Sequence, residues 1–145
     1  MTIPVRFRRL RPSDYGIMIE LFRMCGLEPR VKGRDSRAAI AAQLRSKQNR
    51  YVGAFDGNRL VGAVFGTHDT RKGWINRLAV HPDWRRRGIA IRLVRLAERG
   101  LREQGIQMFA ALIGPGNAAS EAVFRALGYE IEPMVYARRK VRVEI

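Results

Sequence analysis

The sequence predicts one mixed α/β domain, and three observations predict it. The second half of the chain alternates strand-like and helix-like segments: Trp74–Val80, Arg86–Gln104, Gln107–Ile113 and Asn117–Leu127. Two apolar runs in the middle, Tyr51–Phe55 and Leu60–Phe65, are joined by Asp56-Gly57-Asn58, which has the composition of a hairpin turn. Hydrophobic residues make up 46% of 145 residues, enough for one core, and no repeat, linker or low-complexity tract divides the chain.

The remaining elements follow from local pattern. Val5–Leu10 alternates imperfectly, as a half-exposed strand does. Pro12-Ser13-Asp14 supplies a helix start with Ser13 as N-cap; Ile17, Leu21 and Met24 repeat on one face as far as Cys25, and Gly26 stops the helix. Glu28–Asp35 is polar and contains a glycine, so it reads as a loop. Ser36–Arg45 is a second helix with Ile40 and Leu44 on one side. Thr67–Gly73 is a loop, and Pro82 ends the strand after it. The long helix carries Leu93, Leu96, Ala97 and Leu101 on one stripe. Gly114-Pro115-Gly116 is a loop, Asn117 caps the last helix, and Gly128 ends it. Tyr136–Val143 reads as a final strand with exposed arginines. The expected order is β-α-α-β-β-β-α-β-α-β.

Composition narrows the function. Lys+Arg number 28 against 13 Asp+Glu, a formal charge of +15, and 24 of the 28 cations are arginine. A polyanionic partner, nucleic acid or a phosphate-bearing cofactor, is one reading; a genome-wide arginine bias is the other. Aromatic residues near the arginines are sparse (Phe7, Trp84 and Phe124), which speaks against a base-stacking surface for nucleic acid. The single Cys25 excludes an internal disulfide and a cysteine-rich zinc site, and no metal is expected. The charge-free stretch Gln107–Ser120 is broken by glycine and proline, and Met1–Arg6 has no apolar signal core. No membrane partner is expected, and a cytoplasmic location is.

The most informative segment is Leu78–Ala90, where a strand meets a helix through a tight turn. A helix N-terminus carries unpaired amides and a partial positive charge, so each cation there costs about 0.3–1 kcal/mol at low salt. Arg85-Arg86-Arg87, the only run of three arginines, sits at this unfavourable end. A bound diphosphate resolves the conflict, taking amide and guanidinium donors together, with Gly88 and Ala90 letting backbone approach phosphate. A solvated arginine cluster is the bland alternative. The Gly-Lys-Ser/Thr ending of a Walker loop and the three glycines of a dinucleotide fingerprint are both absent.

Arg85-Arg86-Arg87-Gly88-Ile89-Ala90 resembles the Q/R-x-x-G-x-G/A signature of the GNAT superfamily of N-acetyltransferases. Asn117-Ala118-Ala119-Ser120-Glu121-Ala122-Val123-Phe124-Arg125-Ala126-Leu127-Gly128-Tyr129 is similar to that family's N-x-x-A-x-x-x-Y-x-x-x-G-F/Y segment. The resemblance covers the whole chain and is nearest to small stand-alone bacterial members. It implies a single domain over 1–145 with the acyl-CoA N-acyltransferase fold: a mostly antiparallel central sheet with splayed strands, flanked by helices.

The resemblance also assigns roles. Acetyl-CoA, as acyl donor, would lie between the Trp74–Val80 and Gln107–Ile113 strands. The Leu78, Ala79 and Val80 backbone would follow the pantetheine arm, and the Val80 amide would stabilise the oxyanion. The amides of Arg86, Arg87, Gly88, Ile89 and Ala90 would hold the pyrophosphate, with charge from Arg85 and Arg86. Asn117 would contact the donor or act as a cap alone, and Phe124 would line the cleft or the core edge. A primary amine of a small molecule or peptide would be the acceptor. Relatives commonly carry an acidic tyrosine at the Phe124 position; phenylalanine has no proton to give, which leaves Tyr129, Tyr136 or an unassisted thiolate. Asn76 and Arg77 stand where many relatives carry a glutamate, so the base is His81, a group of the His68–Asp69 loop, or a water relay. Specificity would lie in the first two helices, Glu28–Asp35 and His68–Gly73, where the basic surface suggests an acidic or phosphorylated acceptor. A CoA-binding sensor with little catalysis and a basic nucleic-acid-associated protein are the competing readings, and a homodimer stays open.

Overall fold

The computed structural model describes residues 4–145; Met1–Ile3, part of the stretch searched for a signal core, lie outside the described residues. One sheet holds five strands in chain order: β1 (Arg6–Arg9), β2 (Arg50–Asp56), β3 (Arg59–His68), β4 (Gly73–Val80) and β5 (Phe109–Ala111). The first four pair antiparallel, and β5 runs parallel to β4. A parallel neighbour requires a crossover, which α3 (Ile89–Arg102) supplies. Helices α1 (Tyr15–Met24) and α2 (Arg37–Arg45) lie between β1 and β2 in the chain, and α4 (Ala118–Ala126) follows β5.

Helices cover both faces of the sheet. On one face Met18, Phe22 and Ile40 pack with Tyr51 and Phe65. Those two rings are cross-strand partners and stack with centroids 3.7 Å apart. On the other face Leu93, Val94, Leu101 and Phe124 pack with Val61 and Val64. This double cover explains why the middle strands read as continuous apolar runs rather than as alternating ones. Among the described residues no helix is long and apolar enough to cross a membrane.

Three expectations need correction. Ser13 caps nothing. Pro12 opens a 3-10 turn, and Asp14 instead accepts the Arg11 amide at 2.8 Å and both Arg8 guanidinium nitrogens at 2.8 and 3.0 Å. The long helix starts at Ile89, not Arg86, because Arg86 (φ 63°) and Gly88 (φ 76°) are left-handed and hold the arginines in a turn ahead of it. Tyr136–Val143 forms no strand. Val135, Val141 and Val143 are 96%, 90% and 87% exposed, and the segment ends against the α1–α2 loop instead of beside β5. A Cβ at Gly33 would lie 2.7 Å from Ile145 Cα. Alternating valines make a strand only where a neighbour accepts the backbone hydrogen bonds.

Candidate active site

The site begins where two strands part. β5 pairs with β4 only at Gly73, Trp74 and Ile75. From Asn76 to Val80, β4 continues with its outer edge open. A bulge bends it there: Ala63 faces Ala79 and Phe65 faces Asn76, so Val64 alone opposes Arg77 and Leu78. Arg77 takes the left-handed conformation at this bulge, φ 52°, which an arginine adopts at a cost of about 1 kcal/mol or more.

The open edge presents polar backbone. The His81 amide donates to Val61 carbonyl at 2.8 Å, so in the antiparallel alternation Val80 turns its N–H and C=O away from β3. The carbonyl accepts Arg85 Nε at 3.1 Å and the Cys25 thiol at 3.5 Å. The Val80 amide faces away from β3 and lies beyond the last residue that β5 pairs, so neither neighbouring strand supplies it an acceptor. Leu78 and Val80 are half-buried, and Ala79 pairs with Ala63 on the β3 side.

Beyond Val80, a 3-10 turn over Pro82–Trp84 leads through Arg85, Arg86 and Arg87 into α3. The two left-handed residues bracket Arg87 and turn successive amides outward. The first helical bond of α3 is Arg92 N–H to Gly88 carbonyl at 3.1 Å. Among the described residues the amides of Arg86, Arg87, Gly88, Ile89, Ala90 and Ile91 meet no acceptor. Six free donors at a helix start, next to three exposed guanidinium groups, make an anion site of backbone and side chain. Arg87 leans over Trp84 at 5.7 Å from its ring, while Arg85 is tied to Val80.

The other proposed participants are held elsewhere. His81 is buried; its Nδ1 faces the Asp83 amide at 3.1 Å and its Nε2 faces Arg59 at 3.0 Å. A neutral imidazole has one lone pair, so with donors on both sides none is left for an amine proton. Tyr129 donates to Glu98 at 2.5 Å, and burial together with that carboxylate pushes its hydroxyl well above the usual tyrosine range. A hydroxyl so held is a weak acid. Tyr136 is exposed on the C-terminal segment. Asn117 caps α4, accepting the Ser120 amide at 3.1 Å. Phe124 is 3% exposed and meets Tyr129 edge-on at 4.9 Å. Phe124→Tyr would bury an unpartnered hydroxyl in this packing, and a loss of about 1–2 kcal/mol with no rise in thiol release is expected; thermal unfolding and a thiol-release assay check both. Among the described residues no His, Cys, Asp and Glu groups gather as a metal site would require.

Sequence reasoning missed Arg77 as an anchor. Its guanidinium donates to Leu27 carbonyl at 2.6 Å and to Asp35 Oδ2 at 2.7 Å, and lies 5.7 Å from the Phe22 ring. Asp35, whose side chain is 5% exposed, also accepts the Arg30 amide at 2.7 Å. The α1–α2 loop is therefore pinned at both ends to the bulge that opens the cleft. A lone arginine inside an apolar strand was the available signal; its partner, 42 residues away, was not.

Known proteins fit this geometry. The model of the Acetyltransferase (GNAT) family matches residues 17–129. An acetyltransferase of Sodalis glossinidius, SG1711, is 28% identical over 141 residues, covering 97% of each chain. Another of Pectobacterium atrosepticum, ECA0875, is 29% identical over 127 residues, covering 87% of this chain and 88% of its own. Among solved structures, the PaiA N-acetyltransferase of Thermoplasma acidophilum in complex with coenzyme A superposes with a TM-score of 0.80 at 18% identity, covering 91% of this chain and 93% of that one. AAC(6')-Iy with the bisubstrate analogue CoA-S-monomethyl-acetylneamine superposes with a TM-score of 0.78 at 19% identity, covering 94% and 99%. The family match runs from inside α1 to just beyond α4 and so takes in the parted strands, the arginine turn and the pinned loop together: the chain belongs to the GNAT family of acetyltransferases.

Proposed function

We propose that the protein transfers the acetyl group of acetyl-CoA to a primary amine by direct attack on the thioester. The observation that carries this reading is the run of six free amides from Arg86 to Ile91, set one short turn beyond the free Val80 amide. A pyrophosphate fits the first group of donors and a thioester carbonyl fits the second, with the Leu78–Val80 edge between them for the amide-bearing pantetheine arm. The coenzyme A in the PaiA structure and the bisubstrate analogue in AAC(6')-Iy support the same choice of donor.

In the reaction, the amine nitrogen bonds to the thioester carbon and the carbon–sulfur bond breaks. The Val80 amide stabilises the charge that develops on oxygen. The amine proton leaves to water, since His81 has no free lone pair. The coenzyme departs as a thiolate, whose modest basicity lets it leave without an acid at Phe124 or Tyr129.

Calorimetric titration with acetyl-CoA tests the reading, paired with thiol release across an amine panel. Arg86→Glu is expected to weaken acetyl-CoA about 10- to 100-fold, the size of one or two lost charge-assisted contacts. Undiminished affinity in that variant would place the donor elsewhere. Binding without thiol release would instead make the protein a sensor.

A further inference from the structure

On the acceptor side of the cleft, cations gather without counter-ions. The loop from Leu27 to Asp35 has its ends bound to Arg77, and it carries Arg30, Lys32 and Arg34. The C-terminal segment comes to rest on the same loop at Gly33: a Cβ there would meet Ile145 Cα at 2.7 Å and Glu144 carbonyl oxygen at 2.8 Å. That contact brings Arg138 and Lys140 toward Arg30 and Arg34. Lys140 has its pKa lowered, first by desolvation and then by the charges of Arg30, Arg138 and Arg34.

Of the nearby carboxylates two are committed, and Glu28, exposed at the start of the loop, pairs with none of these cations. Asp35 belongs to Arg77 and the Arg30 amide, and Glu144 pairs with Arg142 at 3.8 Å. Among the described residues no carboxylate lies within ion-pair distance of the Arg30, Arg34, Arg138 or Lys140 side chains. Like charges that converge in this way repel one another, and an anion docking among them relieves the repulsion. The loop joins the cleft at two places: Cys25, just ahead of it, touches the Val80 carbonyl, and Asp35, which holds the Arg30 amide, bonds Arg77 on the β4 bulge.

We propose that this cluster selects the acceptor: the amine this enzyme takes carries a carboxylate or phosphate, which docks among Arg30, Arg34, Arg138 and Lys140 while its nitrogen reaches the corner between Cys25 and Val80. The proposal rests on the acetyl-transfer reading for the position of the nitrogen, and it adds the charge of the substrate. A dicationic amine such as a polyamine meets only repulsion on this approach.

Binding of four probes, measured by calorimetry with and without saturating coenzyme A, which carries no acetyl group to transfer, separates the possibilities. O-phosphoethanolamine and β-alanine carry phosphate and carboxylate; ethanolamine is their neutral counterpart and cadaverine the dication. At least tenfold tighter binding of one anionic amine than of ethanolamine is expected, with cadaverine weakest, and the preference should shrink as salt screens it. The better of the two anionic probes identifies the group. The double variant Arg34→Glu, Lys140→Glu, at one exposed and one half-buried position, should abolish the preference and leave acetyl-CoA affinity within twofold. Three results overturn the proposal: equal or tighter binding of ethanolamine or cadaverine, a preference that survives the double variant, or an equal loss of acetyl-CoA affinity, which would assign the cluster to the donor. Failure of acetyl-CoA to bind sinks the donor reading instead, and the probe titrations without it still score the acceptor.

Discussion

Arg77→Ala should lower stability by about 3–5 kcal/mol, the usual cost of removing one partner of a buried ion pair. The guanidinium and carboxylate are 17% and 5% exposed, so solvent screens little of this interaction. The loss has three parts. Asp35 keeps a buried charge with only the Arg30 amide to satisfy it, the Leu27 carbonyl loses its donor, and the α1–α2 loop loses both anchors. Relief of the left-handed arginine offsets none of it, because alanine at φ 52° is strained as well. Urea unfolding should show a lower midpoint with an unchanged slope. The double variant Arg77→Met, Asp35→Leu should recover most of the loss, since apolar groups of similar volume commonly replace a buried pair at little cost. Two losses that simply add would show that the residues do not act as a pair.

Gly88→Val should abolish acetyl-CoA binding while the fold survives. A side chain at Gly88 would meet no protein atom within 4 Å, so the fold has room for it, and on the proposed reading it would occupy the pyrophosphate's approach. Its left-handed φ of 76° adds strain of about 1–2 kcal/mol for a residue with a Cβ. The same strain pulls the turn toward ordinary geometry and rotates the Arg86–Ile91 amides off target. Each lost charge-assisted contact is worth about 1.5–3 kcal/mol, or roughly 10- to 150-fold in affinity. Circular dichroism that stays helical beside a flat acetyl-CoA titration is the expected pair of results. Wild-type affinity in Gly88→Val would remove the arginine turn from the donor site.

The fold was legible wherever local pattern decides. Apolar stripes marked the helices, a polar tripeptide marked the hairpin, and Asn117 marked a helix start. The arginine turn was legible because its charge contradicts the helix dipole, a conflict visible in a dozen residues. What escaped depends on distant partners. The strand expected over Tyr136–Val143 had the right alternation but no neighbour to pair with. Ser13 has the chemistry of a cap, but Pro12 shifts the chain into a 3-10 turn and Asp14 takes over the work. Helix spacing cannot tell whether Phe124 lines a wall or a core, and the resemblance offered Tyr129 as a substitute acid; the structure buries the first and ties the second to Glu98. The bond between Arg77 and Asp35 joins a strand to a loop and leaves no trace in either segment alone.

One residue thus serves two clients. The kink at Arg77 lies just past the point where β4 leaves β5, and the same side chain holds the α1–α2 loop, the proposed acceptor wall. On the proposed reading, a substrate that shifts this residue from one side changes the other side as well. Thermodynamic linkage makes the influence mutual, so whatever factor a bound donor adds to acceptor affinity, a bound acceptor returns to the donor.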